Sequence, residues 1–120
     1  MTYLNPVFHY GYEAFFERCQ DVGIDDIIIP DLPFEEKEEV DVVAGNYGID
    51  LISMIAPTSK ERIRKIAKGV KGFLYVVSSM GVTGERTNIT TDIDGMLKEI
   101  RSVSNVPAAV GFGIHTPDQA

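Results

Sequence analysis

A single cysteine, Cys19, stands among the 120 residues, and there is no tryptophan. One thiol can close no intrachain disulfide and supply no cysteine-based zinc site. Only two histidines occur, His9 and His115. They lie far apart without a carboxylate at ligand spacing, so no metal site is expected. Positive charge is also scarce: 11 Lys and Arg stand against 18 Asp and Glu, a formal net charge of −7. Nucleic acid and anionic membranes both require a basic patch, so neither is an expected partner. Apolar runs stop at about five residues, where a bilayer crossing needs about 20. Met1 leads into Thr2-Tyr3-Leu4-Asn5-Pro6, not into a basic stretch and an apolar core, so no signal peptide is read there. What remains is the expectation of a cytoplasmic chain. Its 44% apolar content allows a packed core, and its length suits one domain over residues 1–120.

What is present alternates. Met1 to Leu4 reads as a strand end closed by Asn5-Pro6, because the residue before proline is pushed out of the α region. From Gly11 to Gly23, Ala14, Phe15, Phe16, Cys19 and Val22 recur at helical spacing. Ile27-Ile28-Ile29 suits a strand buried on both faces. Glu35, Glu36, Glu38 and Glu39 then open a helix that runs to Tyr47. Carboxylates there complement the helix dipole, which accounts for the cluster without acid–base chemistry. Leu51 to Ile55 is the next strand, and Thr58 or Ser59 caps a helix striped with Lys60, Arg62, Arg64, Lys65 and Lys68. That stripe reads either as a solvated face or as a surface for an acidic partner. Phe73 to Val77 is a strand, Asp92 caps a helix to about Val103, and Pro107 to Val110 is a fifth strand. Thr116-Pro117 opens a last helix, with Thr as N-cap and Pro in the first turn. Strand-then-helix alternation implies a parallel sheet, in an open doubly wound form or as part of a (β/α)8 barrel. No G-x-G-x-x-G follows a strand, which disfavours the dinucleotide-binding version.

Between Val77 and Asp92 lies SSMGVTGERTNITT, far longer than the usual βα connection of roughly 2–6 residues. Gly81 and Gly84 flank Val82-Thr83, so the segment reads either as a polar connector or as a substrate lid. In both architectures ligands bind at the carboxyl ends of the strands. Those ends offer Tyr3, Tyr75 and Phe112 as aromatics, Asp31 as a carboxylate, and the glycine amides of Gly111-Phe112-Gly113. Such amides ahead of a helix can cradle phosphate, although glycine also serves tight turns. Asp31, set between Pro30 and Pro33, could be a base or a structural turn residue.

Five stretches, MTYLNPVF, IIIPDLPFEE, APTSKERI, FLYVVSSMGVTGER and VPAAVGFGIHTPDQA, together resemble the tryptophan synthase alpha chain family. The combination of P-D-L-P, S-x-x-G-V-T-G and V-G-F-G-I is specific, and the stretches follow the family's order and spacing over nearly the whole chain. The resemblance implies a (β/α)8 TIM barrel, here incomplete, with five strands corresponding to the third to seventh. It also implies a lyase of tryptophan biosynthesis that splits indole-3-glycerol phosphate into indole and glyceraldehyde 3-phosphate by a retro-aldol reaction. The partner it implies is a tryptophan synthase beta chain in an alpha-beta-beta-alpha complex. Pyridoxal phosphate belongs to that beta chain, and no cofactor is expected here.

Position by position, the resemblance assigns Tyr3, Ile28, Met54, Tyr75, Val77 and Phe112 to the apolar indole pocket. It assigns Gly84 and Gly113 to phosphate binding, and Gly81, Thr83 and Gly84 to a closing lid. Asn5, Phe8, Asp31 and Pro33 fall on the surface facing the beta chain. Ser79 departs from the family, many members of which carry Arg there, so a lid contact made by that Arg has no counterpart. The resemblance places the catalytic Glu and Asp upstream of these residues. No catalytic residue is therefore expected within them, and the chain alone is expected to be inactive. Two other readings are another phosphate-binding barrel of amino-acid biosynthesis, which would want acid–base Asp or Cys at the strand ends, and a non-catalytic partial-barrel module. Open sheet edges on Ile-rich strands invite pairing, so the isolated chain is expected to oligomerise or aggregate. A monomer by light scattering with a cooperative melt would contradict this.

Overall fold

Three consecutive β-branched side chains favour a pleated strand over a helix, where they crowd the preceding turn. In the computed structural model, which describes residues 1–77, 89–111 and 117–119, Ile27 and Ile28 lie in strand β1 (Asp26–Ile28). The chain divides into two compact units, Met1–Ser53 and Met54–Ala120. Each holds a parallel strand pair.

In the first unit β1 pairs in parallel with the opening residues of β2 (Asp50–Ile55, whose last two residues belong to the second unit), in the register Asp26↔Asp50, Ile27↔Leu51 and Ile28↔Ile52. A parallel pair cannot close through a tight turn. Here the connection is a 3₁₀ turn (Phe34–Glu36) followed by helix α3 (Lys37–Asn46). Two helices precede β1: α1 (Leu4–Tyr10) and α2 (Tyr12–Asp21), separated at Gly11 with φ 94°. Ile27, Ile29 and Leu51 form a buried core with Val7, Phe16, Cys19, Val40 and Ala44. One face of the strand pair is therefore packed by helices. Burial pushes the Cys19 thiol up from its ordinary value, consistent with a core residue. The Tyr47 hydroxyl donates to Glu13 Oε2 at 2.8 Å, and Gln20 Nε2 donates to the Tyr47 carbonyl at 3.0 Å, pinning α2 to the end of α3.

The expected strand at Met1 to Leu4 is not what forms. Leu4 already begins α1, with Pro6 inside the first turn. Proline is tolerated there because its missing N–H would have no intrahelical partner. Only one rung of sheet-like pairing remains, from Thr2 N–H to the Ile28 carbonyl at 3.0 Å. Four strands, not five, are thus present among the described residues.

In the second unit β3 (Leu74–Val77) pairs in parallel with β4 (Ala108–Gly111), in register from Leu74↔Ala108 to Val77↔Gly111. Helices α4 (Lys60–Ala67) and α5 (Ile89–Val103) bury Ile63, Ile66 and Ala67 and Met96 and Ile100, respectively. Helix α5 starts ahead of Asp92, which therefore lies within the helix and is not its cap. Part of the basic stripe is used within the fold. Arg64 Nη1 meets Glu99 Oε2 at 2.8 Å, with Lys60 4.0 Å from the other carboxylate oxygen. Pro117–Gln119 forms a single 3₁₀ turn. No helix among the described residues is long and apolar enough to cross a membrane.

Of the two candidate caps for α4, Ser59 is the one engaged: its Oγ accepts the Arg62 N–H at 3.2 Å. Ser59→Ala should cost about 1 kcal/mol of stability in urea unfolding. Thr58→Ala should stay within about 0.5 kcal/mol.

Candidate functional site

Strand alternation sets which side chains are free for a ligand. In the first unit Ile27 and Ile29 point to the helices, so Ile28 and its register partner Ile52 lie on the opposite face. Ile52 is buried there and Ile28 is half-buried. Beyond β1 the chain turns through Pro30-Asp31-Leu32-Pro33, with the Leu32 N–H bonded to the Ile29 carbonyl at 3.2 Å.

Asp31 is not a free carboxylate. Its Oδ1 accepts the backbone N–H of Leu4, the first residue of α1, at 2.8 Å. This bond and the Thr2–Ile28 rung bracket Tyr3 and hold its segment beside the end of β1. The structure thus brings together two of the proposed pocket residues, Tyr3 and Ile28, although the Tyr3 side chain is 66% exposed. The four proposed partner-facing residues, Asn5, Phe8, Asp31 and Pro33, are all exposed. Phe8 is edge-on to Tyr12 and His9, at 6.1 Å and 5.9 Å between ring centroids, and remains exposed.

Sequence reasoning passed over Lys37, the one base within Glu35-Glu36-Lys37-Glu38-Glu39. Its Nζ donates to Ser53 Oγ at 2.8 Å and stands 5.7 Å from the centroid of the Phe34 ring. Ser53 is the buried polar residue among the described positions, and Lys37 satisfies it. A lysine interrupting an acidic helix start was the available signal, but the strand hydroxyl that it meets could not be read from spacing.

In the second unit Leu74 and Val76 are fully buried, so Tyr75 and Val77 share the other face of β3. Tyr75 is half-buried. Its register partner on β4 is Ala109, yet the ring leans along the strand toward Gly111. A Cβ built on Gly111 would overlap the Tyr75 hydroxyl and ring. The sequence offered Gly111 as part of a phosphate cradle or a tight turn; the structure adds a third reason for glycine, room for an aromatic ring. Met54 is half-buried on β2. Phe112, Gly113, Ser79 and the lid residues Gly81, Thr83 and Gly84 lie outside the described residues. Among the described residues no group of three His, Cys, Asp or Glu is placed to hold a metal ion.

The close fit of Tyr75 over Gly111 should appear as energetic coupling. Gly111→Ala should destabilise the chain with Tyr75 in place and be tolerated in a Tyr75→Ala background. A double-mutant cycle in urea is expected to give an interaction of about 1 kcal/mol.

The family model described as the tryptophan synthase alpha chain matches residues 1–120. A tryptophan synthase alpha chain of Lacticaseibacillus casei is 54% identical over all of this chain and 45% of its own length. One from Thermoanaerobacter pseudethanolicus is 50% identical, over 46% of its length. Among solved structures, the tryptophan synthase subunit alpha of Campylobacter jejuni superposes with a TM-score of 0.87 at 38% identity, covering 98% of this chain and 48% of that one. A chain of the tryptophan synthase α2β2 complex of Pyrococcus furiosus superposes with a TM-score of 0.81 at 34% identity, covering 95% and 46%. The chain thus spans about half the length of the curated relatives it matches. The likeness in structure shows an α/β fold made of parallel β/α units of the (β/α)8 barrel type.

Proposed function

The chain belongs to the tryptophan synthase alpha chain family, and on that premise we propose that it serves the retro-aldol cleavage of indole-3-glycerol phosphate to indole and glyceraldehyde 3-phosphate. The observation that carries this reading is the family match over all 120 residues. It sets aside the reading as some other phosphate-binding barrel. The roles divide along the chain. Tyr3, Ile28, Met54, Tyr75, Val77 and Phe112 are the residues the family resemblance assigns to indole contacts. Flat aromatic and branched apolar walls suit a planar ring. Gly84 and Gly113 contribute to phosphate binding. Gly81, Thr83 and Gly84 form the lid that excludes water during cleavage.

The reaction breaks the bond between indole C3 and the glycerol chain. A base must take the proton of the hydroxyl on the leaving carbon, which becomes the aldehyde, and an acid must protonate C3. Among the described residues the carboxylate in the strand-end turns is Asp31, and it is engaged by the Leu4 N–H. In this reading the 120 residues bind and orient substrate, and the acid and base come from elsewhere in the whole protein. No cofactor is needed for cleavage; pyridoxal phosphate works on the beta chain. Asn5, Phe8, Asp31 and Pro33 face that partner, in an alpha-beta-beta-alpha assembly in the cytoplasm. The Pyrococcus furiosus relative is described in such an α2β2 complex with mutual activation.

Incubation of the chain with indole-3-glycerol phosphate should release no indole above background. Binding of that substrate should be measurable by calorimetry and weaken about tenfold in Tyr75→Ala, the equivalent of about 1.4 kcal/mol. Added to a tryptophan synthase beta chain, the chain should raise the rate at which indole is consumed. Substantial turnover by the chain alone would overturn the assignment of the acid and base to other segments. Unchanged binding in Tyr75→Ala would overturn the indole role of that ring.

A further inference from the structure

The Asp31 carboxylate joins two elements that the proposed function uses separately. Its Oδ1 holds the Leu4 N–H at 2.8 Å. Tyr3, proposed against indole, immediately precedes Leu4; Asn5 and Phe8, proposed against the partner, follow it on α1. Asp31 itself sits in the turn that bears Pro33, and the Pro33 carbonyl accepts the Glu36 N–H at 3.0 Å as the 3₁₀ turn begins. A second tie, from Thr2 N–H to the Ile28 carbonyl at 3.0 Å, fixes the same segment to β1 just ahead of that turn. The two bonds lie on either side of Tyr3. Displacement of the Asp31 turn therefore bears on Leu4, and with it on Tyr3 and the start of α1, for as long as the carboxylate bond holds.

We propose that Asp31 is a positioning residue that couples the indole-facing Tyr3 segment to the partner-facing surface of α1 and Pro33. The proposal rests on the substrate and partner roles given above. It differs from a direct role for the Asp31 charge, either as a base or as an ion-pairing group against the partner. What the clamp needs at position 31 is an oxygen acceptor of the right reach, and the negative charge only strengthens it. A pressure on the turn from a docked partner is then delivered to Tyr3 through a single hydrogen bond, with no rearrangement of the buried core required.

Asn retains an acceptor oxygen at the same reach and removes the charge; Ala removes both. Hydrogen–deuterium exchange read by mass spectrometry on peptides covering Met1–Tyr10 should be near wild type in Asp31→Asn. In Asp31→Ala it should be faster by about tenfold at the start of α1, as expected for an amide that has lost a hydrogen-bond partner. Peptides from Lys37–Asn46 should be unchanged in both variants, since a general loss of folding would accelerate exchange there as well. Stimulation of a beta chain's indole consumption should follow the same order: wild type and Asp31→Asn close together, and Asp31→Ala several-fold lower. An Asp31→Ala chain with wild-type exchange over Met1–Tyr10, or an Asp31→Asn chain as impaired as Asp31→Ala, would overturn the proposal. A wild-type chain that leaves the beta chain unstimulated would instead refute the partner reading. The exchange measurement still decides the clamp in that case.

Discussion

A parallel strand pair cannot be closed by a tight turn, and much of this chain's arrangement depends on that restriction. Parallel neighbours start at the same end, so the chain must travel back along the sheet before the next strand begins. In the first unit α3 makes that return between β1 and β2; in the second, α5 makes it between β3 and β4. In the first unit α3 takes Ile27 and Leu51 into a core with Val40 and Ala44, and in the second Leu74 and Val76 are fully buried. The remaining alternate positions, Ile28 and Ile52, Tyr75 and Val77, are left for the other face. The two-residue period of the strand thus separates the core-facing positions from those that the proposed function assigns to substrate.

The same restriction concentrates polar chemistry beyond the strand ends, where the backbone leaves the sheet. There the structure spends its polar side chains on holding loops. Asp31 is bonded to Leu4, and Lys37 reaches from the first turn of α3 to the buried hydroxyl of Ser53. Both residues stand in one short stretch after β1, and each crosses to a different neighbour. Asp31 ties the segment ahead of α1, and Lys37 ties β2. The turn between β1 and α3 is thereby held at both of its sides by side chains rather than by sheet bonds. Gly111 plays a complementary part in the second unit, since its missing side chain lets the Tyr75 ring lie along the sheet toward the strand ends.

Much of the secondary structure was legible because it rests on local rules. The Ile-rich run read as a strand, the spacing of Ala14, Phe15, Phe16 and Cys19 read as a helix, and the helical readings that end at Gly23 and at Tyr47 meet left-handed backbone at Gly23 and Gly48, φ 83° and 71°. Where local rules competed, reading failed or stayed open. The restriction that proline places on its predecessor argued for a strand end at Asn5-Pro6. Tolerance of proline in a helix's first turn won, because the Asp31 carboxylate was available to hold Leu4 as the helix began. Thr58 and Ser59 are equivalent on composition, and only the backbone path selects Ser59 as the cap. Asp92 is a good capping residue type, yet α5 begins before it.

By itself the sequence determined the alternation of strands and helices, the acidic balance, and the family, whose signature stretches stand in order along the chain. Those are properties of neighbours and of spacing, and they survive without any long-range contact. The tertiary structure alone decided what the ambiguous residues do. Asp31 became a tie to Leu4, Lys37 became the partner of a buried serine, and Gly111 became the space beneath a tyrosine. Each of these outcomes joins residues far apart in the chain, so none of them can be read from local spacing.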